Sequence, residues 1–379
     1  MFEQQLQPLL GDTQIVRVQD FSSYFQSEFP AGSRAALFFA EGDRGAVPEH
    51  LFSALAPFSP LCAAVGQGCA SGLFSLPDEV RAVVTLGNRA FLAARFFATL
   101  RGVACYAVPT SPSAEECFCP SAPPPFSGYP LRAPDKILLC GNFLHVDCGA
   151  ALAHTALAAV CAEELRTDAL FSERKPLGAL ESVAQCAASL SLSDGEDRET
   201  LFYASALFVL SRKVPFACLG MADHLRAYLP QGRTTADFSV LKTCAERALF
   251  LFAQAKPRPF FVPDYAARLR LCAERTGMTY AALRKNVRIP SGDESFERLR
   301  IFEQARSRMA DSARLLCEYV RKIARSYDAQ GRAPANAGEA YSLSAELTPL
   351  LCAPVLEREF GLLCAPAQMS AAANEKQPV

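Results

Sequence analysis

The sequence lacks any strong excess of charge and any long apolar run. Its 379 residues carry 38 basic and 39 acidic side chains, whereas a chain that binds nucleic acid or an anionic membrane usually shows a basic excess. No stretch of about 18 uncharged apolar residues occurs, and the first residues do not combine a basic start with an apolar segment. We therefore expect no nucleic-acid partner, no membrane partner and no export signal.

The chain also lacks a Cys-x-x-Cys motif. Its 15 cysteines are an odd number and are spread singly among apolar and small residues, which is typical of free core thiols in a reducing compartment. We therefore expect a cytoplasmic location. The only close pair is Cys117 and Cys119, for which a structural metal and two loop or core thiols are the alternatives; the second is favoured because no other pair stands nearby.

The length favours two domains, because a domain usually has roughly 100 to 200 residues. Apolar β-type runs at 34–40, 81–87, 103–109 and 136–140 alternate with helical stretches, including one at 90–100. This pattern is typical of a parallel sheet covered on both faces. From residue 149 helical periodicity dominates, and its longest example spans 297–326.

These patterns predict an α/β N-terminal, doubly wound (Rossmann-like) domain followed by an all-α C-terminal domain. The predicted bounds are 1–148 for the first domain and 149–330 for the second. Residues 331–379 form a C-terminal extension, and the small, polar residues of its last part predict disorder.

A strand, a turn and a helix follow one another in AVVTLGNRAFLAARFFA, residues 82–98. Gly87 and Asn88 stand at the turn. A glycine lets backbone N–H groups approach a phosphate at a helix N-terminus without a side chain in the way, and Asn tolerates a left-handed conformation. The alternative is an ordinary strand-to-helix turn with Gly87 as its pivot.

Three further segments contain polar residues that are candidates for a functional site. VPTSPSAEE, residues 108–116, follows the next predicted strand and contains Pro109, Thr110, Ser113 and Glu115. CGAALAHTALAAVC, residues 148–161, has Thr155 beside His154 on a predicted helix. LGMADHLRAYLP, residues 219–230, contains His224, after which no histidine follows.

In register, the four segments resemble motifs of the metal-dependent polyol dehydrogenases, the family that contains glycerol dehydrogenase and sn-glycerol-1-phosphate dehydrogenase and, more distantly, dehydroquinate synthase. The first segment is similar to a Gly-Gly-Gly turn and a helix with Asp and Lys, here Leu86, Gly87, Asn88, Leu92 and Arg95. The second resembles Val-Pro-Thr-x-x-Ser-x-Asp, with Glu115 at the Asp. The third resembles Gly-x-Gly-Asp, with Thr155 at the Asp. The fourth resembles Ser-Gly-x-Glu-His-x-x-x-His, with His224 at the first His.

The resemblance implies an NAD(P)-dependent, metal-assisted oxidoreductase that acts on a CH–OH group of a polyol or glycerol phosphate, a small-molecule substrate. The implied cofactor-binding residues are Gly87, Asn88, Pro109, Thr110 and Ser113, and the implied catalytic residues are Glu115 and His224. A divalent zinc, nickel or iron ion would be bound by His224, Asp237 and Thr155, with Gln231 as the alternative to Asp237 and His154 as the alternative to Thr155. The sequence leaves homo-oligomer formation and the choice of NAD or NADP open.

A second hypothesis follows from the replaced residues. Only one of three glycines stands in the turn, and Thr155 replaces a carboxylate, which would supply both charge and a hard oxygen donor to a metal ion. The alternative is therefore a non-catalytic family member, a pseudoenzyme, that keeps the fold for binding a ligand or a partner. Metal content distinguishes the two hypotheses.

Overall fold

The computed structural model describes residues 2–40, 49–65, 75–118, 131–145, 148–170, 178–211 and 292–328, together with the short pieces 245–246, 249–250, 253, 270 and 279–281. By their contacts, the residues divide into two compact units. The first comprises Met1–Ala151 and Leu190–Ser211, and the second comprises Leu152–Ser189 and Arg212–Val379. The predicted domain boundary at residue 148 stays a prediction.

The first unit is built on a six-stranded sheet in which every described pairing is parallel. The strand order is β1-β6-β5-β4-β2-β3. The strands are β1 (Gln14–Arg17), β2 (Arg34–Ala40), β3 (Leu61–Val65), β4 (Val80–Leu86), β5 (Ala104–Val108) and β6 (Lys136–Leu139).

Helices cover both faces of this sheet. The helices of this unit are α1 (Phe2–Leu10), α2 (Phe21–Glu28), α3 (Glu49–Leu55), α4 (Asn88–Arg101) and α5 (Glu115–Phe118), followed by the start of α6 (Gly149–Asp168) and by α8 (Gly195–Ser211). Side chains alternate along β2, so that Leu37 and Phe39 pack with α2 and α3 on one face. Ala36 and Phe38 pack with α4 on the other face. Burial on both faces explains why the central strands are almost wholly apolar.

The strand order reverses between β2 and β4. From β2 the chain continues to β3 on one side, whereas from β4 it continues to β5 and β6 on the other side. In open α/β sheets, ligands bind at the carboxyl ends of the strands at such a point of divergence. The carboxyl end of β4, at Leu86 and Gly87, is therefore the place to look for a ligand site.

In the second unit every element among the described residues is a helix: the rest of α6, then α7 (Gly178–Ala187) and α9 (Gly292–Asp328). The helix predicted at 297–326 is confirmed within α9. Its buried side is a stripe at spacings of three and four, formed by Ala305, Met309, Ala313, Leu316 and Val320. A buried polar contact joins α9 to α6, because Ser312 Oγ donates to Glu163 Oε2 at 2.6 Å.

The predicted fold class, a doubly wound α/β unit followed by helices, is confirmed over the described residues. The structure adds two strands that the apolar runs did not predict, β1 and β3. Both lie at the edges of the sheet and are partly exposed, so neither needs a continuous apolar run. No described helix combines the length and the hydropathy that a membrane-spanning segment needs.

Candidate functional site

The turn between β4 and α4 depends on Gly87. Its backbone has φ 78° and ψ 145°, a region that residues with a Cβ rarely occupy. The Gly87 N–H donates to the carbonyl of Val108 at 3.0 Å, and the Gly87 carbonyl accepts from the Ala90 N–H at 3.2 Å. The first of these bonds ties the carboxyl end of β4 to that of β5. Gly87 is buried and is hydrogen-bonded through both its N–H and its carbonyl.

Helix α4 starts directly after this turn, and its N-cap residue, Gly87, supplies no side-chain cap. The first N–H groups of a helix have no acceptor within the helix, and the helix dipole makes them favour an anion. Leu86, which stands where the family has a glycine, is 3% exposed and packs in the apolar core with α2 and α3. Its side chain is therefore accommodated in the core on one face of the sheet.

The loop after β5 lies beside the Gly87 turn. Pro109 and Ser113 are buried, and Thr110 is half-buried. Within the loop the Ser113 N–H donates to Ser111 Oγ at 3.2 Å, and the next N–H, that of Ala114, donates to Ser205 Oγ of α8 at 3.1 Å. The structure thus brings the backbone of the Gly87 turn and the Pro109–Ser113 loop to neighbouring strand ends.

Glu115, the predicted catalytic acid, is half-buried and begins the one-turn helix α5. It lies two residues after Ser113, at the end of the same loop. Its assignment as a catalytic residue stays a prediction, as do the assignments of Gly87, Asn88, Pro109, Thr110 and Ser113 to a cofactor.

Arg95, at the position of the family's Lys, lies inside the protein with 1% of its surface exposed. Its guanidinium donates to three backbone carbonyls: Nη1 to Glu116 at 2.7 Å, Nε to Arg132 at 2.9 Å and Nη2 to Leu131 at 3.3 Å. These carbonyls belong to the segments that end α5 and precede β6. Arg95 therefore acts as a structural link between α4 and two neighbouring chain segments.

The turn after β6 is held by the N-terminal part of α8. The Gly141 N–H donates to Glu199 Oε1 at 2.8 Å, and the Gly141 carbonyl accepts from Arg198 Nη2 at 3.1 Å. Glu199 is also paired with Arg17 at 3.3 Å. Both backbone polar groups of Gly141 are thus bound by charged side chains, which gives stronger hydrogen bonds than neutral partners would.

The buried thiols near α5 do not favour a reactive cysteine. Desolvation by burial raises the pKa of Cys105 to about 12 and raises the pKa of Cys117 well above its ordinary value. A thiol is nucleophilic or binds a metal as the thiolate, and these two are protonated at neutral pH. Cys119, the other member of the Cys-x-Cys pair, lies outside the described residues.

Thr155, the predicted metal ligand of the second unit, is fully buried on α6. Its hydroxyl donates to the Leu152 carbonyl at 2.8 Å, and its neighbours along the helix are buried and mostly apolar. A neutral, enclosed hydroxyl of this kind fits a divalent cation poorly. His224 and Asp237 lie outside the described residues, and within the described residues no three His, Cys, Asp or Glu side chains are grouped as metal ligands.

Similarity of this chain to known proteins is found among solved structures only. No protein-family model matches it, and no curated protein matches it. Several solved structures are similar to it. Glycerol dehydrogenase from Schizosaccharomyces pombe is 14% identical, with a TM-score of 0.42 over 84% of this chain and 91% of that chain.

Two further solved structures give similar values. Maleylacetate reductase from a Rhizobium species is 15% identical, with a TM-score of 0.49 over 89% of each chain. An iron-containing alcohol dehydrogenase from Thermococcus thioreducens is 11% identical, with a TM-score of 0.47 over 97% of this chain and 99% of that chain. At these identities and scores, the likeness by itself determines neither a substrate nor a cofactor for this chain.

Proposed function

We propose that the first unit binds NAD or NADP at the carboxyl edge of its sheet and that the chain is an oxidoreductase acting on a CH–OH group of a polyol or glycerol phosphate. One observation carries the proposal: the Gly87 turn and the N-terminus of α4 lie where the strand order reverses. That is the position at which doubly wound sheets bind dinucleotides.

The residues at this edge fit a pyrophosphate. Gly87 has no Cβ, so a phosphate oxygen can approach the backbone of the turn. Asn88 begins α4, and the N–H groups of that first turn are the donors that an anion would accept from. The Pro109–Ser113 loop would line the same edge, with Thr110 as its half-buried side chain. A bound nicotinamide would supply the hydride acceptor or donor.

The first test is the variant Gly87→Ala. We expect a loss of about 1–3 kcal/mol in unfolding free energy, because the added Cβ opposes the positive φ. We also expect NADH and NADPH to bind at least about tenfold more weakly, because the phosphate loses one or more charge-assisted hydrogen bonds. Titrations of NADH and NADPH followed by ligand fluorescence measure the affinity.

Gly102→Ala is the matched control for this test. Gly102 ends the same helix with φ 65°, and no atom lies within 4 Å of a Cβ built there. The control is expected to lower stability by about 1 kcal/mol and to leave dinucleotide affinity unchanged. Equal affinities for the wild type, Gly87→Ala and Gly102→Ala would refute a dinucleotide site at the Gly87 turn.

The metal part of the proposal depends on His224 and Asp237, which lie outside the described residues. About three protein ligands are needed to hold a catalytic divalent ion, and Thr155 is a poor third. If His224 and Asp237 hold a metal ion, protein purified without chelators will contain about one equivalent of zinc, nickel or iron, and His224→Ala will lose it. Elemental analysis of both proteins makes this measurement.

The alternative is a non-catalytic chain that keeps the fold for binding a ligand or a partner. The buried, helix-bonded hydroxyl of Thr155 favours it, because the carboxylate of the family is absent there. Dinucleotide binding without any bound metal would support this alternative. Bound metal together with oxidation of a glycerol phosphate would refute it.

We also propose a cytoplasmic location, with a small molecule as the main partner. Among the described residues, no disulfide joins any of the eight cysteines, and a reducing compartment keeps thiols in this state.

A further inference from the structure

Helix α8, which is distant in sequence, hydrogen-bonds to the loop after β5. Ser205, on α8, is fully buried, and its Oγ accepts the hydrogen bond of the Ala114 N–H at 3.1 Å across 91 residues of sequence. Ala114 is fully buried as well. The contact therefore lies in a region where an unpaired N–H is costly.

Helix α8 is itself fixed at the same edge of the sheet. Its residues Arg198 and Glu199 bind the carbonyl and the N–H of Gly141, in the turn after β6. Glu199 also pairs with Arg17, the last residue of β1. Ser205 follows two turns later on a helix whose last eleven residues are all buried. It is thus a fixed acceptor that belongs to a rigid support.

We propose that Ser205 is a positioning residue for the dinucleotide, acting through the Ala114 N–H on the Pro109–Ser113 loop. The inference rests on the proposed dinucleotide site. The loop is tied at one end to the Gly87 turn, through the bond from the Gly87 N–H to the Val108 carbonyl. At the other end it is tied to α8 by Ser205. With both ends fixed, Thr110 is presented to the ligand in one geometry.

The physical reason is preorganisation. A loop that must be ordered on binding subtracts its ordering cost from the affinity, whereas a loop that is already ordered does not. Without the Ser205 hydroxyl, the buried Ala114 N–H lacks this acceptor. It forms a new hydrogen bond only when the loop shifts toward another acceptor or toward water. The unliganded protein then populates loop conformations that bind less well.

The test compares four full-length proteins: the wild type, Ser205→Ala, Ser205→Thr and Ser211→Ala. Ser211 is the control, because it is buried on the same helix and its Oγ donates to the Leu207 carbonyl of that helix. NADH and NADPH affinities are measured by fluorescence titration. Amide hydrogen exchange of the peptides that contain 109–116 is measured without ligand.

We expect Ser205→Ala to bind NADH about tenfold more weakly and to exchange faster at 109–116. Ser205→Thr keeps a hydroxyl and should restore both properties. Ser211→Ala should change neither, whatever it does to the melting temperature. This pattern separates positioning from a general loss of stability.

Two results would overturn the inference, and they differ. If the wild type binds NADH and NADPH but Ser205→Ala binds them as well as Ser211→Ala does, then Ser205 has a structural role only. If the wild type binds neither dinucleotide, the proposed function itself fails, and the assignment of Ser205 to a dinucleotide fails with it. The exchange measurement still shows in that case whether Ser205 orders the loop.

Discussion

Arg95→Met is expected to lower the unfolding free energy by roughly 3–5 kcal/mol, because three backbone carbonyls lose a charged donor at once. Arg95 is buried and donates to Glu116, Leu131 and Arg132. Met fills a similar volume but donates no hydrogen bond. Urea unfolding followed by far-ultraviolet circular dichroism measures the change.

Arg101→Met is the matched control, on the same helix. Arg101 pairs with Asp78, whose side chain is 91% exposed, and donates to the Leu76 carbonyl at 3.1 Å. With an exposed partner and one carbonyl in place of three, we expect this variant to lose about 1–2 kcal/mol. Arg95→Lys should fall between the two, because it keeps the charge but loses the planar group that reaches several carbonyls. A loss below about 1 kcal/mol for Arg95→Met would contradict the structural role of this guanidinium.

Gly141→Ala is expected to have the second largest effect, a loss of about 2–3 kcal/mol. A Cβ at residue 141 would lie 2.6 Å from the Gly195 carbonyl oxygen and 2.8 Å from its carbon. Both are backbone atoms at the start of α8, so no side chain can rotate away. The helix or the turn has to move, which also strains the bonds from Gly141 to Arg198 and Glu199.

Gly195→Ala tests the same contact from the other side. A Cβ at residue 195 would meet Gly141 backbone atoms at 3.5 and 3.6 Å, which is ordinary van der Waals contact, and Ala is more favourable than Gly in a helix. We expect this variant to be neutral or slightly more stable than the wild type. If the two variants lose equal stability, the close approach at Gly141 is not what limits the packing. Thermal and urea unfolding of both proteins decide the question.

The central strands could be predicted from sequence because both faces of the sheet are covered there. At 34–40 and 136–140 the predicted runs match β2 and β6 to within a residue, since a strand covered on both faces has to be apolar throughout. β1, with the sequence QIVR, is four residues long and partly exposed. It pairs with β6 along its length, yet nothing in its local pattern distinguishes it from a loop.

Part of the candidate site was also predictable. Gly87 could be identified from sequence as the pivot of a strand-to-helix turn, and the structure has φ 78° there. Leu86, at the first glycine position of the motif that the segment resembles, packs into the core. The direction of a side chain at the end of a strand depends on the register of the sheet, which local sequence does not specify.

Sequence by itself determined the α/β half, the helical remainder and the place of Gly87 at the β4–α4 turn, because each follows from patterns only a few residues long. Only the tertiary structure decided that α8 joins the first unit, that Arg95 binds three carbonyls and that Ser205 holds Ala114. These contacts join residues 21 to 91 positions apart. A donor or acceptor at such a distance leaves no local signal, since its partner is chosen by the packing of the sheet and its helices.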